Sequence, residues 1–481
     1  MPSTAIFLFH RDLRLADNTA LIKLLRDLEP GERVLPVFIF DPVQIDKKKN
    51  AYFSNPAVQF MSESLVDLDD QLKVYKSGLT VLHDKTLTAL RNLHVRALHS
   101  KNAITKIAWN EDPSAFAMER DANIRDWAHK NKIEVITSTD FYLTEPNEGL
   151  GPSGSPYKVL SAFYKWFIKA QPVRPVDNFS IEAKHFAPPP PQANVAALLK
   201  RFYTPMPQLA LHGGRRLGLE RIAHLSKLKN YAHDRDFPAK TDGTSRLSPY
   251  LKFGCVSIRE AYWAGRKELG GESPFIRELV FRDFYAKVYA TSAALQTGER
   301  AVIHQLDTNL HWYTPEERIS LWRAWTTGTT GIPLVDAGMR ELLLTGHQHN
   351  RVRMLCASVL TKYMWIDWRA GAKFYYTHLV DADIFSNTAG WGFSASIGMD
   401  AVPYFRAPFN PFIQSKKFDP DAEYIKRWVP ELASVPAKEI HKWGEDTSAH
   451  SLTSYPKPVL DCKQASKEAV ARFKAAATKN N

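Results

Sequence analysis

The chain has 481 residues, which is too long for one ordinary compact core, so we expect at least two domains. Hydrophobic residues make up 44% and charged residues 24% of the sequence, a composition that excludes a disordered or fibrous protein. The formal net charge of +12 favours a polyanion such as nucleic acid as partner, although a merely basic surface would have the same balance.

Short apolar runs alternate with helix-length segments over the first 140 residues. Such runs predict buried parallel strands joined by helical crossovers. The turn after the first run, His10–Arg14, contains neither GxGxxG nor GxxxxGK[ST], so the usual backbone cradle for phosphates is missing. We therefore predict a doubly wound α/β domain over residues 1–140 that is not an obvious NAD or ATP site. The runs are Ala5–Phe9, Val34–Phe40, Leu79–Leu82, Ile107–Trp109 and Ile133–Ile136.

The next segment changes in composition. From about Glu145 to Asn194 it is rich in Gly, Pro and Ser, and it includes the four prolines Pro188–Pro191. Consecutive prolines continue neither a helix nor a central strand. We predict an interdomain linker over residues 141–200.

Beyond residue 200 the pattern is mostly helical. Apolar residues recur at three- and four-residue spacing in Ser257–Glu268, Ser273–Ala290 and Leu334–Thr345. The tail after Gln464 is rich in Ala and Lys and predicts one amphipathic helix. We predict an all-α domain over residues 201–481.

The cysteines and the first residues of the chain indicate the cellular compartment of the protein. Cys255, Cys356 and Cys462 lie far apart, without a CxxC or Cys/His ligand pattern, so we expect neither disulfides nor a metal. Met1–Thr4 leads into a strand pattern without a signal-peptide layout, and no run of about 18 uncharged apolar residues is present. We expect an intracellular protein, cytoplasmic or nuclear, without a membrane segment.

Polar residues interrupt the helical pattern between Gly328 and Gln414. Asn350, Arg353 and Met354 are spaced so that a helix places all three on one face. Downstream, Asp381, Asp383 and Asn387 precede the small residue Gly390, which permits a planar ligand to approach closely. We expect Arg353 to pair with Asp381, although spacing alone fits a purely structural ion pair equally well. The residues of this stretch are Asn350, Arg353, Met354, Asp381, Asp383, Asn387, Gly390 and Trp391.

A series of longer motifs spans most of the chain. The opening stretch Phe9–Leu21 is followed by Thr244–Gly254 and Arg277–Tyr285, and further motifs continue the order. The series resembles the photolyase/cryptochrome family and is most similar to class I cyclobutane pyrimidine dimer DNA photolyases. Several long motifs in register make chance a poor explanation. The further motifs are Gly328–Arg340, His349–Met354, Ile366–Arg369, Gly390–Trp391 and Asp400–Arg406.

This resemblance implies an antenna-type α/β domain followed by a helical domain that holds FAD in a U-shaped conformation. The position of Asn387 corresponds to the residue that faces flavin N5, where an amide is compatible with a fully reduced anionic flavin. The residues expected at the FAD phosphates and adenine are Tyr231, Thr244, Ser245, Arg246, Leu247 and Ser248; those expected at the isoalloxazine ring are Asn350, Arg353, Asp381, Asp383 and Asn387.

The resemblance also assigns an electron path and a lesion pocket. Trp391, Trp368 and Trp312 match the tryptophan chain that carries an electron to photoexcited oxidised flavin. Trp322 and Trp325 are interpreted as core aromatic residues that complicate the assignment of Trp312. A flipped dimer requires an aromatic stack, hydrogen bonds and cations. The residues expected to bind DNA and the lesion are Arg235, Glu278, Phe281, Arg282, Asn350, Met354 and Phe393.

The implied function is light-driven repair of cyclobutane pyrimidine dimers by electron transfer from excited reduced FAD, which is the activity of a deoxyribodipyrimidine photo-lyase. Met354 favours this lesion, because (6-4) photolyases have a histidine at the matching position. Phe281 and Phe393 replace tryptophans usual in class I enzymes, and His347 replaces an aromatic residue. These departures leave a cryptochrome-type blue-light photoreceptor as the alternative. A light-independent nucleotide-binding enzyme would leave the motif series unexplained.

The sequence constrains the antenna chromophore and the oligomeric state less than it constrains the family. Folate-binding family members carry an Asn-Glu pair where this chain has Met118–Asp121, and Asn110–Glu111 is out of register with it. A deazaflavin, another flavin or no antenna chromophore therefore remain as alternatives. We expect UV-damaged DNA with a flipped pyrimidine dimer as partner, and a monomeric protein.

Overall fold

The structure is a computed structural model that describes residues 3–189, 194–290, 305–398, 408–445 and 448–478. The motif at 400–406 lies outside the described residues.

The N-terminal region contains a five-stranded parallel sheet of order β3-β2-β1-β4-β5. The central strand β1 alternates its side chains between two hydrophobic clusters, because successive residues of a strand point to opposite faces. Phe7 and Phe9 belong to the large cluster that continues into the helical region, whereas Ile6 and Leu8 belong to a smaller cluster on the other face. The strands are β1 Ser3–Phe9, β2 Arg33–Phe40, β3 Thr80–His83, β4 Ala103–Asn110 and β5 Glu134–Ser138.

Helices connect these strands and cover both faces of the sheet. Asn18 and Ser54 cap the first and third of these helices with their side chains, which accept hydrogen bonds from backbone N–H groups. The predicted doubly wound domain is confirmed. The helices of this region are Thr19–Arg26, Pro42–Ile45, Asn55–Val74, Thr86–His99 and Ala115–Lys130.

The segment predicted as linker contains the helix Leu160–Ala170. Leu160, Phe163 and Phe167 of this helix are buried in the large cluster, where Phe163 lies 6.0 Å from Phe284 between ring centroids. This part of the chain therefore packs as a structural element between the sheet and the helical region.

The rest of the described chain is helical, as predicted. A second large hydrophobic cluster lies among the later helices and includes Trp325, Trp365 and Trp443. A π-helical stretch, Val359–Tyr363, follows the helix that begins at Asn350. The α-helices are Val195–Leu199, Arg215–His224, Tyr231–Asp234, Ser248–Lys252, Ile258–Leu269, Pro274–Ala290, Gln305–Asn309, Ile319–Thr327, Pro333–Thr345, Asn350–Ser358, Trp368–His378, Ile384–Ser394, Pro411–Phe418, Glu423–Trp428, Ala437–Ile440 and Cys462–Thr478.

A buried network of four charges joins the two regions. Arg259 of the helical region contacts Asp17 and Asp140 of the N-terminal region, both at 2.8 Å, and Arg14 contacts Asp140 at 2.7 Å. Burial would raise the pKa of Asp140, but the two guanidinium groups outweigh it and hold that pKa well below its usual range. The network fixes how the helical region sits on the sheet.

Candidate functional site

A cavity of about 430 Å³ lies in the helical region. Its walls come from the helices Pro274–Ala290, Asn350–Ser358 and Ile384–Ser394 and from the turn before the last of these. Twelve of the residues singled out in the sequence meet here although they are far apart in the chain. They are Arg235, Glu278, Phe281, Arg282, Asn350, Arg353, Met354, Asp381, Asp383, Asn387, Trp391 and Phe393.

One wall is built on the expected ion pair between Arg353 and Asp381. The guanidinium Nη2 lies 3.1 Å from Oδ2 of Asp381, and the Ser248 hydroxyl donates to the same oxygen at 2.6 Å. Burial would raise the pKa of Asp381, but Arg353 and the Ser248 hydrogen bond lower it to about 2. Oδ1 of Asp381 is buried and has no hydrogen-bond partner among the described residues. This oxygen is available to a ligand that donates a hydrogen bond.

Asp383 begins the helix that carries Asn387 and Trp391. Its side chain caps the helix by accepting from the Ser386 N–H at 3.0 Å, and it pairs with Arg11 at 2.9 Å. Burial would raise the pKa of Asp383, but Arg11 and Arg282 lower it. Arg11 was not among the predicted site residues. Its place in the opening motif Phe9–Leu21, directly after the first strand, is the signal that could have identified it.

Asn387, Gly390 and Trp391 lie on one face of this helix. The Asn387 amide donates from Nδ2 to the Ala372 carbonyl at 2.9 Å, which fixes the side chain and leaves its second N–H for another acceptor. A Cβ atom at Gly390 would meet no atom within 4 Å, so the cavity is open there. A planar group has room beside this face.

The loop before Ser248 is joined to the cavity by the hydrogen bond from the Ser248 hydroxyl to Asp381. Arg221 donates to the carbonyls of Ser245 at 3.0 Å and Thr244 at 3.4 Å and so holds the loop. Arg246 has a left-handed φ of 52°, and its buried Nε has no partner among the described residues. Burial lowers the pKa of Arg246. The loop thus presents a guanidinium with one unpartnered N–H, which suits a phosphate.

Two other members of the predicted phosphate and adenine set are buried. Leu247 is 2% exposed and Tyr231 is 8% exposed, and the Arg235 guanidinium lies 5.6 Å from the centre of the Tyr231 ring. Neither residue lines the cavity among the described contacts.

The residues predicted to bind the lesion line the cavity, but both of their cations already have partners. Arg235 forms a salt bridge of 2.8 Å with Glu278. Arg282 donates to the Phe141 carbonyl and lies 5.0 Å from the centre of the Tyr142 ring. Arg282 therefore also holds the helical region against the segment after the sheet.

The apolar lesion residues are half-buried. The centres of the Phe281 and Tyr285 rings are 5.4 Å apart. The Met354 sulfur lies 3.9 Å from Nδ2 of Asn350. Together with Phe393 they give the cavity a partly apolar lining.

The expected tryptophans form two groups. Trp391 lines the cavity and packs on Gly371, where a Cβ atom would come within 2.2 Å of its ring. Trp368 and Trp312 both donate from Nε1 to Oδ1 of Asp307, at 3.2 and 2.8 Å. Trp368 is buried and Trp312 is half-buried, so the second group leads outward.

Trp391 also contacts a second aromatic branch that the sequence did not reveal. Its ring lies 6.1 Å from Trp325, which stacks on the half-buried Trp322 at 5.6 Å. Tyr375 lies 5.1 Å from Trp391. Trp325 is fully buried, as expected of a core aromatic residue, yet it adjoins the cavity residue directly.

The sequence matches two family descriptions, "DNA photolyase" over residues 5–180 and "FAD binding domain of DNA photolyase" over residues 275–475. A deoxyribodipyrimidine photo-lyase of Alkalihalophilus pseudofirmus is 34% identical, with 97% of each chain covered. The chain belongs to the DNA photolyase family. The predicted family, the photo-lyase enzyme class and FAD as cofactor are confirmed.

Solved structures of photolyases and of a cryptochrome share the fold. The archaeal photolyase of Sulfolobus tokodaii has a TM-score of 0.81 at 34% identity over 98% of this chain and 100% of its own; that structure contains two FAD molecules and implicates a novel light-harvesting cofactor. A class III photolyase of Agrobacterium tumefaciens has a TM-score of 0.85 at 29% identity, covering 99% and 98%. A Synechocystis cryptochrome has a TM-score of 0.81 at 27% identity, covering 98% and 99%.

This member of the photolyase family has a second cavity, of about 230 Å³, where the carboxyl ends of β1 and β2 meet the helical region. Phe9, Phe40 and Tyr376 give it aromatic walls, and Arg11 and Lys252 give it cations. Burial lowers the pKa of Lys252 to about 8. Arg11 thus lies between this cavity and Asp383 of the first.

Metal-type clusters and membrane-spanning helices are both absent from the described residues. No group of three or more His, Cys, Asp or Glu side chains in that part of the chain has the arrangement of a metal site. No helix there is long and apolar enough to cross a membrane. The three cysteines are buried free thiols.

Proposed function

We propose that this protein repairs cyclobutane pyrimidine dimers in DNA with light. The observation that carries the proposal is that residues suited to a flavin and residues suited to a dimer line one cavity. Because a flipped dimer bound there would lie beside the flavin face, an electron would have a short path. The homologues named deoxyribodipyrimidine photo-lyase support the same activity.

The residues around the cavity fit FAD. When bound and reduced, FAD supplies the light-absorbing group and the electron that the dimer receives and returns. The unpartnered Asp381 oxygen accepts from a ring N–H, while Arg353 offsets negative charge on the ring. The Asn387 amide offers an N–H without an acidic proton. The Arg246 guanidinium, whose Nε has no partner among the described residues, would bind the phosphates.

The dimer would be recognised by a second group of side chains that line the same cavity. The Glu278 carboxylate accepts from base N–H groups, and Asn350 hydrogen-bonds to a base edge. Met354, Phe281 and Phe393 supply the apolar contacts that a base stack requires. Arg235 neutralises Glu278 before DNA binds, which reduces the cost of desolvating that carboxylate.

We also propose that the second cavity holds the antenna chromophore. Its aromatic walls suit a planar ring system, and its cations Arg11 and Lys252 suit an anionic group. The two FAD molecules of the Sulfolobus tokodaii photolyase favour a flavin over a folate. Absorption and mass analysis of the released chromophores would identify the occupant.

The decisive experiment uses the reduced protein and an oligonucleotide that contains one thymine dimer. We expect the dimer to be split under blue or near-UV light, while in darkness the oligonucleotide is bound but unchanged. Repair that proceeds equally in darkness, or without flavin, contradicts the proposal. Glu278→Gln is the matched variant, because it removes the carboxylate with little change of shape, and we expect it to reduce repair and leave FAD content unchanged.

A blue-light photoreceptor is the second candidate. It is favoured by the similarity to the Synechocystis cryptochrome and by the small rings of Phe281 and Phe393. A protein that retains FAD and is photoreduced, yet leaves the dimer intact when reduced, would support this candidate against repair.

A further inference from the structure

The carboxylate of Asp307 links two tryptophans at the outer end of the proposed electron path. Its Oδ1 accepts from Nε1 of Trp312 at 2.8 Å and from Nε1 of Trp368 at 3.2 Å. Its Oδ2 contacts the Arg369 guanidinium at 2.5 Å. The Asp307 side chain is 4% exposed, so these contacts are its main environment among the described residues.

An indole that loses an electron becomes a much stronger acid, since the positive charge weakens its N–H bond. A neutral indole only donates hydrogen bonds, whereas a carboxylate accepts both hydrogen bonds and protons. The N–H of Trp312 already points at a buried carboxylate. A proton can therefore move along an existing hydrogen bond as soon as Trp312 is oxidised.

We propose that Asp307 is the proton acceptor for the oxidised terminal tryptophan, an inference that rests on the proposed tryptophan chain. One electron leaves Trp312 for oxidised Trp368, which becomes neutral. The Nε1–H bond of Trp312 breaks, its electron pair stays on the indole and the proton forms an O–H bond on Asp307. The products are a neutral tryptophan radical and a neutral carboxylic acid. An external thiolate then supplies one electron to Trp312 and becomes a thiyl radical, while Trp312 regains its proton from Asp307 and the Asp307 carboxylate is restored.

The charges around the two rings give this transfer a direction. The Arg369 guanidinium lies 4.8 Å from the centre of the Trp368 ring, where it disfavours positive charge on that ring. Trp312 has the shorter bond to the carboxylate and is half-buried. The positive charge is thus stabilised on Trp312, and proton loss there prevents the electron from returning. Asp367 also contacts Arg369, at 3.2 Å, and shares its charge.

The test excites the oxidised, flavin-loaded protein with a blue laser pulse and follows the visible absorption of the tryptophan radicals. In the native protein we expect the cation radical to convert to the neutral radical, more slowly in D₂O than in H₂O. In Asp307→Asn we expect the neutral-radical signal to be lost and the yield of photoreduced flavin to fall several-fold. Formation of the neutral radical at the native rate in this variant overturns the proposal.

Two further variants separate proton acceptance from structure. Asp307→Glu keeps a carboxylate and should restore the neutral radical. Arg369→Gln removes the same ion pair but keeps the acceptor, so it should retain the neutral radical. If Asp307→Asn fails to fold, light-induced infrared spectra of the native protein decide: a carboxylic acid band must appear with the neutral radical and shift in Asp307→Glu, and its absence overturns the proposal.

Dimer repair by chemically reduced protein does not require the tryptophans. Failure of that repair in the native protein would contradict the proposed function while the radical measurements still test Asp307. Unchanged radical kinetics in Trp312→Phe would instead overturn the role of Asp307 and leave repair unaffected.

Discussion

At the scale of single residues, the Arg353–Asp381 pair determines which form of Asp381 a ligand meets. A carboxyl whose pKa is about 2 is ionised at every physiological pH, so it accepts hydrogen bonds and delivers no proton. Ser248 and Arg353 both bind Oδ2, which leaves Oδ1 for the cavity. The arrangement suits a ligand whose ring N–H donates a hydrogen bond to Asp381 and which receives no proton from it.

This pair has a consequence for acid stability. The pKa of Asp381 is lower in the folded than in the unfolded chain, so its contribution is present above about pH 4 and is lost as pH falls toward 2. Arg353→Gln should destabilise the fold by about 3 kcal/mol near neutral pH, because it leaves a buried charge unpaired. Thermal unfolding between pH 2 and 7 measures both effects.

The control is the double variant Arg353→Gln with Asp381→Asn. It should recover much of the lost stability and show a weaker pH dependence, yet bind FAD poorly. A double variant no more stable than Arg353→Gln would contradict the assigned charge pairing.

The size of the half-buried Phe281 ring should affect the affinity of the protein for dimer-containing DNA. A tryptophan stacks more surface on a base, and stacking contributes roughly 1–3 kcal/mol per base. Phe281→Trp should therefore tighten binding of dimer-containing DNA by a part of that amount, and Phe281→Ala should weaken it. Both affinities should be compared with those for undamaged DNA in folded variants. Equal changes for the two DNAs would mean that the ring only completes the core.

If Trp391, Trp368 and Trp312 form the proposed electron path, photoreduction and repair can be separated by mutation. Trp391→Phe and Trp368→Phe should slow photoreduction of oxidised FAD, while repair by previously reduced protein stays largely intact. Trp325→Phe is the control for the second branch, because Trp325 also contacts Trp391. Photoreduction measured by flavin absorption distinguishes them: a greater loss in Trp325→Phe than in Trp368→Phe would move the path to the Trp325–Trp322 branch.

The sequence predicted some residue contacts and missed others for a physical reason. Arg353 and Asp381 were recognised as partners because polar residues interrupt the predicted helical pattern between Gly328 and Gln414. The Arg11–Asp383 pair joins residues 372 positions apart, and no local pattern encodes that contact. The proximity of Trp325 to Trp391 was missed likewise, since it depends on how two helices pack.

At the scale of elements, the contact between helices Trp368–His378 and Ile384–Ser394 depends on a glycine. A Cβ atom at Gly371 would come within 2.2 Å of the Trp391 ring and 2.5 Å of Leu360. Gly371→Ala should therefore destabilise the protein by about 1–3 kcal/mol through overpacking. Thermal or urea unfolding of the flavin-free protein provides the measurement.

Gly390→Ala is the matched change on the facing helix. Its Cβ atom would enter open space, so it should leave the stability of the flavin-free protein unchanged or raise it by up to about 1 kcal/mol. The same atom would project beside the proposed flavin site and should lower FAD content. Equal stability losses in the two variants would contradict this packing.

Strand positions followed closely from the sequence, because buried parallel strands appear as continuous apolar runs. The run Val34–Phe40 became β2 Arg33–Phe40, for example. The helix Leu160–Ala170 was missed, since the surrounding Gly, Pro and Ser dominated the composition of that segment. Its apolar residues Leu160, Phe163 and Phe167 do have helical spacing, which a shorter window would have revealed.

At the scale of the whole molecule, the buried network of Arg14, Asp17, Asp140 and Arg259 ties the sheet to the helical region. Removing one member leaves a buried charge that has lost a partner. Arg282 adds a link through the Phe141 carbonyl. The lesion face of the cavity is thereby held against the region that contains the second cavity, so both proposed chromophores lie on one joined scaffold.

The net charge of +12 concerns DNA binding by the molecule as a whole. Each phosphate that a cation neutralises releases counterions and adds about 0.9 to the slope of log affinity against log salt. Affinity for damaged and undamaged DNA should therefore fall steeply as salt rises. Arg235→Gln should lower both affinities and reduce the slope by about one if Arg235 contacts a phosphate.

Two controls separate charge from recognition in this measurement. Lys101→Gln removes one exposed charge near the start of β4, away from the cavity, so it should leave the slope unchanged. Glu278→Gln removes the carboxylate that is proposed to read the bases, so it should lower the preference for dimer-containing over undamaged DNA, although the loss of a negative charge beside Arg235 favours binding of both DNAs. If Lys101→Gln changed the slope as much as Arg235→Gln, the DNA would bind through diffuse surface charge and not at the mouth of this cavity.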